Sequence, residues 1–274
     1  MSGMAFDRLA VEHDLHGGYD PDRAALPRLW AFWSGGKDFN PADRALGETV
    51  AARFPQVETL ALHRLAFRSR LVRALVGECG VDQLLVVGVD MPLHDEVHQV
   101  AHSVNPDARV VYADADALAM LYAQAMFRGR INTCGFVRAG LDDPRAVLDS
   151  AAATLDLRRP VAVLLINSLD VLTDPQAVEA LAAFRAALAA GSYIAFCHLT
   201  AEYDHGLAAL GSICAETSPG PPRVRTPNAL AAFCAGMVMI RPGLVSAPVW
   251  RPDPGPWPVI ADVDLWCGVA GVLP

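Results

Sequence analysis

Three positions in the sequence have the residue types and spacing to hold a nucleotide-like ligand. Gly88 closes the apolar run QLLVVG (83–88) and leads into VDMPLHDE. At such a strand end, glycines let backbone N–H groups approach a ligand closely. Only Gly88 serves here, because Asp90 stands where the second glycine of such a loop falls. Asp114 ends RVVYAD (109–114), 26 residues after Gly88. That is near the spacing of about 20 at which a carboxylate accepts hydrogen bonds from ribose hydroxyls. The other reading of Asp114 and Asp116 is a cap for the next helix, and spacing alone leaves the two level.

Other polar groups sit where strands should end. Asn167, Ser168 and Asp170 follow VAVLLIN (161–167), and His198 and Thr200 end SYIAFCH (192–198). Asp170 and His198 are the candidates for a general base. His94, His98 and His102 recur every fourth residue, a metal-binding pattern on a helix. Their H-x-E-x-H order and the climb along the helix favour partly buried or solvated imidazoles, so no metal is expected. Gly35-Gly36-Lys37 lacks the earlier glycine of a phosphate loop and is followed by Asp38, not Ser or Thr. Trp30, Phe32 and Trp33 read as an aromatic wall over a ligand or as a helix-packing face. No G-x-S-x-G elbow is present.

These groups must be positioned by an alternating pattern. The spacing predicts helices over 26–34, 42–54 and 56–78. Strands then alternate with helices over 94–104, 116–127, 143–152, 174–189 and 202–215. A short helix after Thr226-Pro227 and two strands, GMVMI (236–240) and DLWCGVA (264–270), complete the chain. Such alternation means a parallel sheet covered on both faces, with ligand at the carboxyl ends of its central strands. Residues 1–25 read as a loosely ordered lead-in. Residues 26–274 read as one domain, with a helical lid at 26–80 and a Rossmann-like core at 81–274.

With 274 residues, 53% of them hydrophobic and 19% charged, the chain can bury a full core. A net charge of −8 without a Lys/Arg stripe argues against nucleic acid and anionic membranes as partners. Six scattered cysteines with no C-x-x-C pair suit reduced thiols and a cytoplasmic location. The polar N-terminus lacks a signal core, and VAVLLI (161–166) is too short to span a bilayer.

Several longer stretches carry a family resemblance. They are Arg28 with GGKD (35–38) and Ala42-Asp43-Arg44, then VHQVA (97–101), PDARVVYAD (106–114) and LDDPRAVL (141–148). LDLRRPVAVLL (155–165), GSYIAFCH (191–198), RPGLV (241–245) and VWRPD (249–253) continue the series. Together they resemble an actinobacterial family of S-adenosylmethionine-dependent methyltransferase-like proteins. The resemblance implies a seven-stranded class I methyltransferase sheet whose last strand is antiparallel, with the N-terminal helices as a lid. It implies S-adenosyl-L-methionine as cofactor and a small-molecule substrate, in secondary metabolism. Gly88, Asp90, Asp114, Arg138 and Asn167 would then face the cofactor. Arg28, Trp30, Trp33, Gly36 and Lys37 would belong to the lid and substrate side.

The departures are specific. The family's first strand reads L-D-I-G-T-G-L-P, against Leu85 to Pro92 here, so Val86 replaces an acidic residue and Asp90 a glycine. After the third strand, Arg138 to Asp143 replaces D-A-D-L-R-D, and the acidic residue at the adenine end is lost. After the fourth strand, Leu169-Asp170-Val171 replaces L-H-F. The bulk and charge of Asp90 predict repulsion of the cofactor's carboxylate and weakened binding, unless Asp90 or Arg138 makes replacement contacts. Alternative functions are a methyltransferase-fold enzyme turned to cyclisation, elimination or rearrangement, or a non-catalytic small-molecule sensor.

Overall fold

The structure, a computed structural model, describes residues 19–127, 129, 133–215, 220–254 and 261–273. Residues 1–18 of the expected lead-in lie outside these. Residues 19–25 are anchored: Tyr19 donates to Asn40 Oδ1 at 3.0 Å, and Ala24 is fully buried.

Three helices come first: α1 (Leu26–Trp33), α2 (Pro41–Arg53) and α3 (Val57–Arg73). The core then runs β1 (Gln83–Val87), α4 (Val97–Val104), β2 (Arg109–Ala113), α5 (Ala117–Met126) and β3 (Cys134–Val137). It continues through α6 (Pro144–Ala151), β4 (Ala162–Ile166), α7 (Asp174–Ala187), β5 (Tyr193–Leu199), α8 (Leu210–Ala215) and α9 (Pro227–Phe233). Strands β6 (Val238–Met239), β7 (Val245–Ser246) and β8 (Leu265–Gly271) close it.

The sheet order is β3-β2-β1-β4-β5-β8-β6, with β7 also pairing β8. Strands β1 to β5 are parallel, and β8 runs antiparallel to β5, β6 and β7. This is the expected α/β class I methyltransferase sheet, with eight strands where seven were expected. The extra strand arises because the outermost strand is cut in two. Five residues, 240–244, stand opposite two of β8 between the paired segments, and Pro242 among them has no N–H for the ladder.

Alternation along the central strands covers both faces. Leu84, Val86, Leu164 and Ile166 pack with Leu29, Leu60, Phe67 and Leu71 of the N-terminal helices. Leu85, Val87, Val163 and Leu165 pack on the other face with Val147, Leu148 and Phe184. Helices start where side chains satisfy their first N–H groups: Asp116 accepts from Ala119 N, Asp143 from Ala146 N and Thr226 from Ala229 N.

Three expected helices start or end differently. The one expected over 202–215 is a 3-10 turn at His205–Ala209 followed by the short α8. The segment 94–104 becomes helical only at Val97, because Asp95 is left-handed (φ 55°) and Glu96 with Gln99 forms a capping box. His94 therefore lies off the helix that carries His98 and His102. His98 Nδ1 instead meets the Tyr112 hydroxyl at 2.9 Å, and His102 Nε2 meets the Ala108 carbonyl at 2.9 Å. At the end of α3 the last turn, Ala74–Glu78, widens to a π-turn.

Candidate active site

A cavity of about 550 Å³ opens at the carboxyl ends of β1, β2 and β4, where strand order reverses about the first strand. Its size suits a small-molecule or cofactor site. Four walls come from the loops after these strands and after β3. Ala25, Leu26 and Pro27, at the start of α1, form another.

Gly88 marks the closest approach of two loops. Its φ is +97°, and a Cβ there would lie 2.6 Å from the Ser168 Cβ, so only glycine fits. Asp114 stands beside it. One carboxylate oxygen accepts from Val89 N and the other from Asp116 N, both at 2.7 Å. Burial pushes the Asp114 pKa up to about 7, against the pull of those two N–H groups. The capping role belongs to Asp116, which leaves Asp114 as the carboxylate presented at the strand end.

Asn167 also lines the cavity, in a left-handed conformation (φ 58°). Its Nδ2 donates to Asp170 Oδ2 at 2.8 Å, while its Oδ1 and the neighbouring Ser168 Oγ are buried without a protein partner. After β3, Asp142 lines the cavity two residues beyond Gly140. The acidic character expected to be lost from that loop is thus supplied from a later position.

Asp90 lines the cavity as well, and its charge is compensated. Arg64 of α3 donates to Asp90 Oδ2 through both terminal nitrogens, and Arg68 lies 3.8 Å from the same oxygen. Arg68 also pairs with Glu96 at 3.3 Å, and the Arg64 guanidinium lies 4.8 Å from the centre of the Trp30 ring. The two arginines recur four residues apart in a helix whose remaining inward positions are mostly apolar. That spacing was the available signal for them, and sequence reasoning passed over it.

The expected general bases lie elsewhere. Asp170 and His198 are fully buried and neither lines the cavity. His198 Nε2 lies 2.6 Å from an Arg225 terminal nitrogen and 3.1 Å from Asp170 Oδ1, while Nδ1 meets the Leu199 carbonyl at 2.8 Å. Arg225 is anchored further by the Leu169 and Leu172 carbonyls and by Asp174. Arg225 must donate to Nε2, so the imidazole is neutral with its proton on Nδ1. Burial is the main cause that pushes His198 down and Asp170 up. The pair is a sealed structural cluster beneath the cavity floor.

The expected lid residues are likewise part of the scaffold. Trp30 and Trp33 are buried and pack edge to face, with ring centres 5.3 Å apart, and Trp33 Nε1 donates to the Gly47 carbonyl. Neither borders the cavity, because α1 turns this face inward onto α2 and α3. Gly36 sits in the turn that ends α1, its N–H donating to the Ala31 carbonyl, and Lys37 is exposed. Arg138 is exposed beyond β3 and is not among the lining residues. Arg28 is buried and holds the wall in place. It pairs with Asp43 at 2.7 Å and reaches Asp116 at 3.6 Å, while Asp43 also accepts from Ala25 N and Asn40 N.

The charged side chains that line the cavity are therefore Asp90, Asp114, Asp116 and Asp142, with no Lys, Arg or His among the described residues. The strand order, with a ligand-sized opening at its switch point, is that of the class I methyltransferase fold. The chain belongs to the S-adenosyl methyltransferase family, whose sequence model matches residues 13–272.

The chain is similar to a DUF574 family protein of Streptomyces avermitilis, at 29% identity over 93% of this chain and 99% of that one (TM-score 0.87). A candidate methyltransferase of Thermobifida fusca is 28% identical over 98% and 100% of the two chains, also with a TM-score of 0.87. The fold alone is shared with an O-methyltransferase of neocarzinostatin biosynthesis, 14% identical over 83% of this chain and 61% of that one (TM-score 0.50). No curated protein matches the sequence. No helix among the described residues is long and apolar enough to cross a membrane.

The cofactor of this family fits the residues present. Gly88 leaves room for close approach, Asp114 offers a carboxylate, and Asn167 Oδ1 and Ser168 Oγ are polar atoms awaiting a partner.

Proposed function

We propose that this chain is a methyltransferase that binds S-adenosyl-L-methionine in the cavity and acts on a small molecule of secondary metabolism. The supporting observation is the Asp114 carboxylate, fixed between two loops by Val89 N and Asp116 N at the strand end beside Gly88. Asp114 would hold the ribose hydroxyls, and the acidic lining would favour a cationic sulfonium over a neutral ligand. Bound there, the sulfonium supplies an activated methyl group.

The protein contributes orientation and exclusion of water. The wall from Ala25 to Pro27 covers the cavity, and Arg28 and Asp43 keep that wall in register. An acceptor that must lose a proton would give it to a cavity carboxylate, since Asp170 and His198 are sealed away. The net charge of −8 and the six free cysteines fit a cytoplasmic enzyme with neither nucleic acid nor membrane as partner. Titration calorimetry with S-adenosylmethionine and with S-adenosylhomocysteine tests the reading. Saturable binding of both is expected, and no heat from either overturns it.

A further inference from the structure

The acidic loop residue and the two buried arginines behind it have a consequence for what the cavity recognises. Arg64 is only 1% exposed, and both its terminal nitrogens are engaged by Asp90. Its Nε is buried without a partner and faces no ligand wall, since Arg64 does not line the cavity. Arg68 is engaged by Glu96, by Asp90 and by the carbonyls of His94 and Asp95. Neither arginine has a terminal nitrogen left over for a ligand.

S-adenosylmethionine carries two positive groups, the sulfonium and the ammonium, and one negative carboxylate. The positive groups meet carboxylates from the loops after β1, β2 and β3. The carboxylate meets Asp114, Asp116 and Asp142, together with an Asp90 that already occupies Arg64 and Arg68, and no cation among the described lining residues. Like charges at close range repel, and enclosure strengthens the effect.

We infer that Asp90 is a built-in carboxylate for the Arg64–Arg68 pair, so that the cavity recognises adenosyl sulfonium ligands by their positive groups and gains nothing from their carboxylate. The ligand class that suits it best is an adenosyl sulfonium bearing an amine and no carboxylate. This rests on the adenosyl reading of the cavity given above.

The test compares S-adenosylmethionine with its decarboxylated form by calorimetry on the full chain. The decarboxylated sulfonium is expected to bind at least as tightly, by up to roughly tenfold. The Asp90→Gly variant frees the terminal nitrogens of Arg64, Arg68 staying on Glu96, and the preference should reverse towards S-adenosylmethionine. Asp90→Asn, which keeps the side-chain volume, serves as a second variant should the glycine form not fold, and should narrow the preference. Tighter binding of S-adenosylmethionine than of its decarboxylated form by the unaltered protein overturns the inference while leaving the adenosyl reading intact. An unchanged preference in folded Asp90 variants also overturns it. If neither ligand binds, and S-adenosylhomocysteine fails too, the adenosyl reading falls and this inference with it.

Discussion

Two clusters in this molecule contain the same ingredients, an aspartate, arginine and ring partners, and have opposite relations to the cavity. In the upper one, Asp90 reaches the cavity while Arg64 and Arg68 hold it from behind. In the lower one, Asp170, His198 and Arg225 are all buried and are held by one another, by the Asn167 and Asp174 side chains and by nearby backbone carbonyls. The difference lies in which element supplies the arginine. Arg64 comes from α3 and approaches the strand-end loop from the side, leaving Asp90 a free flank. Arg225 comes from the segment just before α9 and closes over the lower pair. A buried polar cluster near a site is thus no index of participation, because enclosure decides whether a ligand can reach it.

The comparison breaks most sharply at Asp170. Asp170→Ala removes one member of a fully buried charged cluster and should lower the unfolding free energy by about 3–5 kcal/mol. Chemical denaturation measures this. Retained stability together with lost ligand binding would move the lower cluster into the site. Next comes Asp114→Ala, which should weaken an adenosyl ligand by about 1–3 kcal/mol, roughly tenfold to a hundredfold, with folding nearly intact. Calorimetry reads that loss, and unaltered binding would return Asp114 to a structural role.

A third test uses pH. The Asp114 pKa rises to about 7 in the folded chain, above its ordinary value, so its contribution to stability is full at low pH and lost as pH rises through 7. The free protein should lose a few degrees of Tm between about pH 5 and pH 8. Asp114→Asn should flatten that slope, and an equally steep slope in the variant would assign the effect to other groups. The smallest expected effect concerns the aromatic pair. Trp30 and Trp33 are buried in the helical layer, so Trp30→Phe and Trp33→Phe should leave the fluorescence response to ligand unchanged. Loss of the response in either variant would restore a lid role.

Much of the architecture was legible before the structure. The parallel core could be read because each strand is an apolar run and nearly every helix opens on a capping residue such as Asp116, Asp143 or Thr226. Gly88 and Asp114 were legible through their spacing along one βαβ unit. The Arg64–Asp90 pair was not, since its members are 26 residues apart and nothing local says which carboxylate a helix arginine will meet. Arg225 was hidden for the same reason. The two-residue strand β7 was too short to show alternation at all. The aromatic stretch in α1 left its orientation open, because periodicity finds an apolar face without saying whether a ligand or another helix covers it, and the lid role that the resemblance implied for it does not match its packing.

The import of cavity parts from the N-terminal helices has a consequence for recombination between relatives. The wall at Ala25 to Pro27 and the arginines behind Asp90 come from one stretch of chain, and the loop they serve comes from the next. A crossover placed anywhere between Arg73 and Gln83 would look harmless, since it falls in the joint between helices and sheet. It would nonetheless hand one parent's loop to the other parent's arginines, leaving either an unmatched acid or an unmatched base at the cavity edge. Viable chimeras should therefore inherit residues from Ala25 through Glu96 as one block.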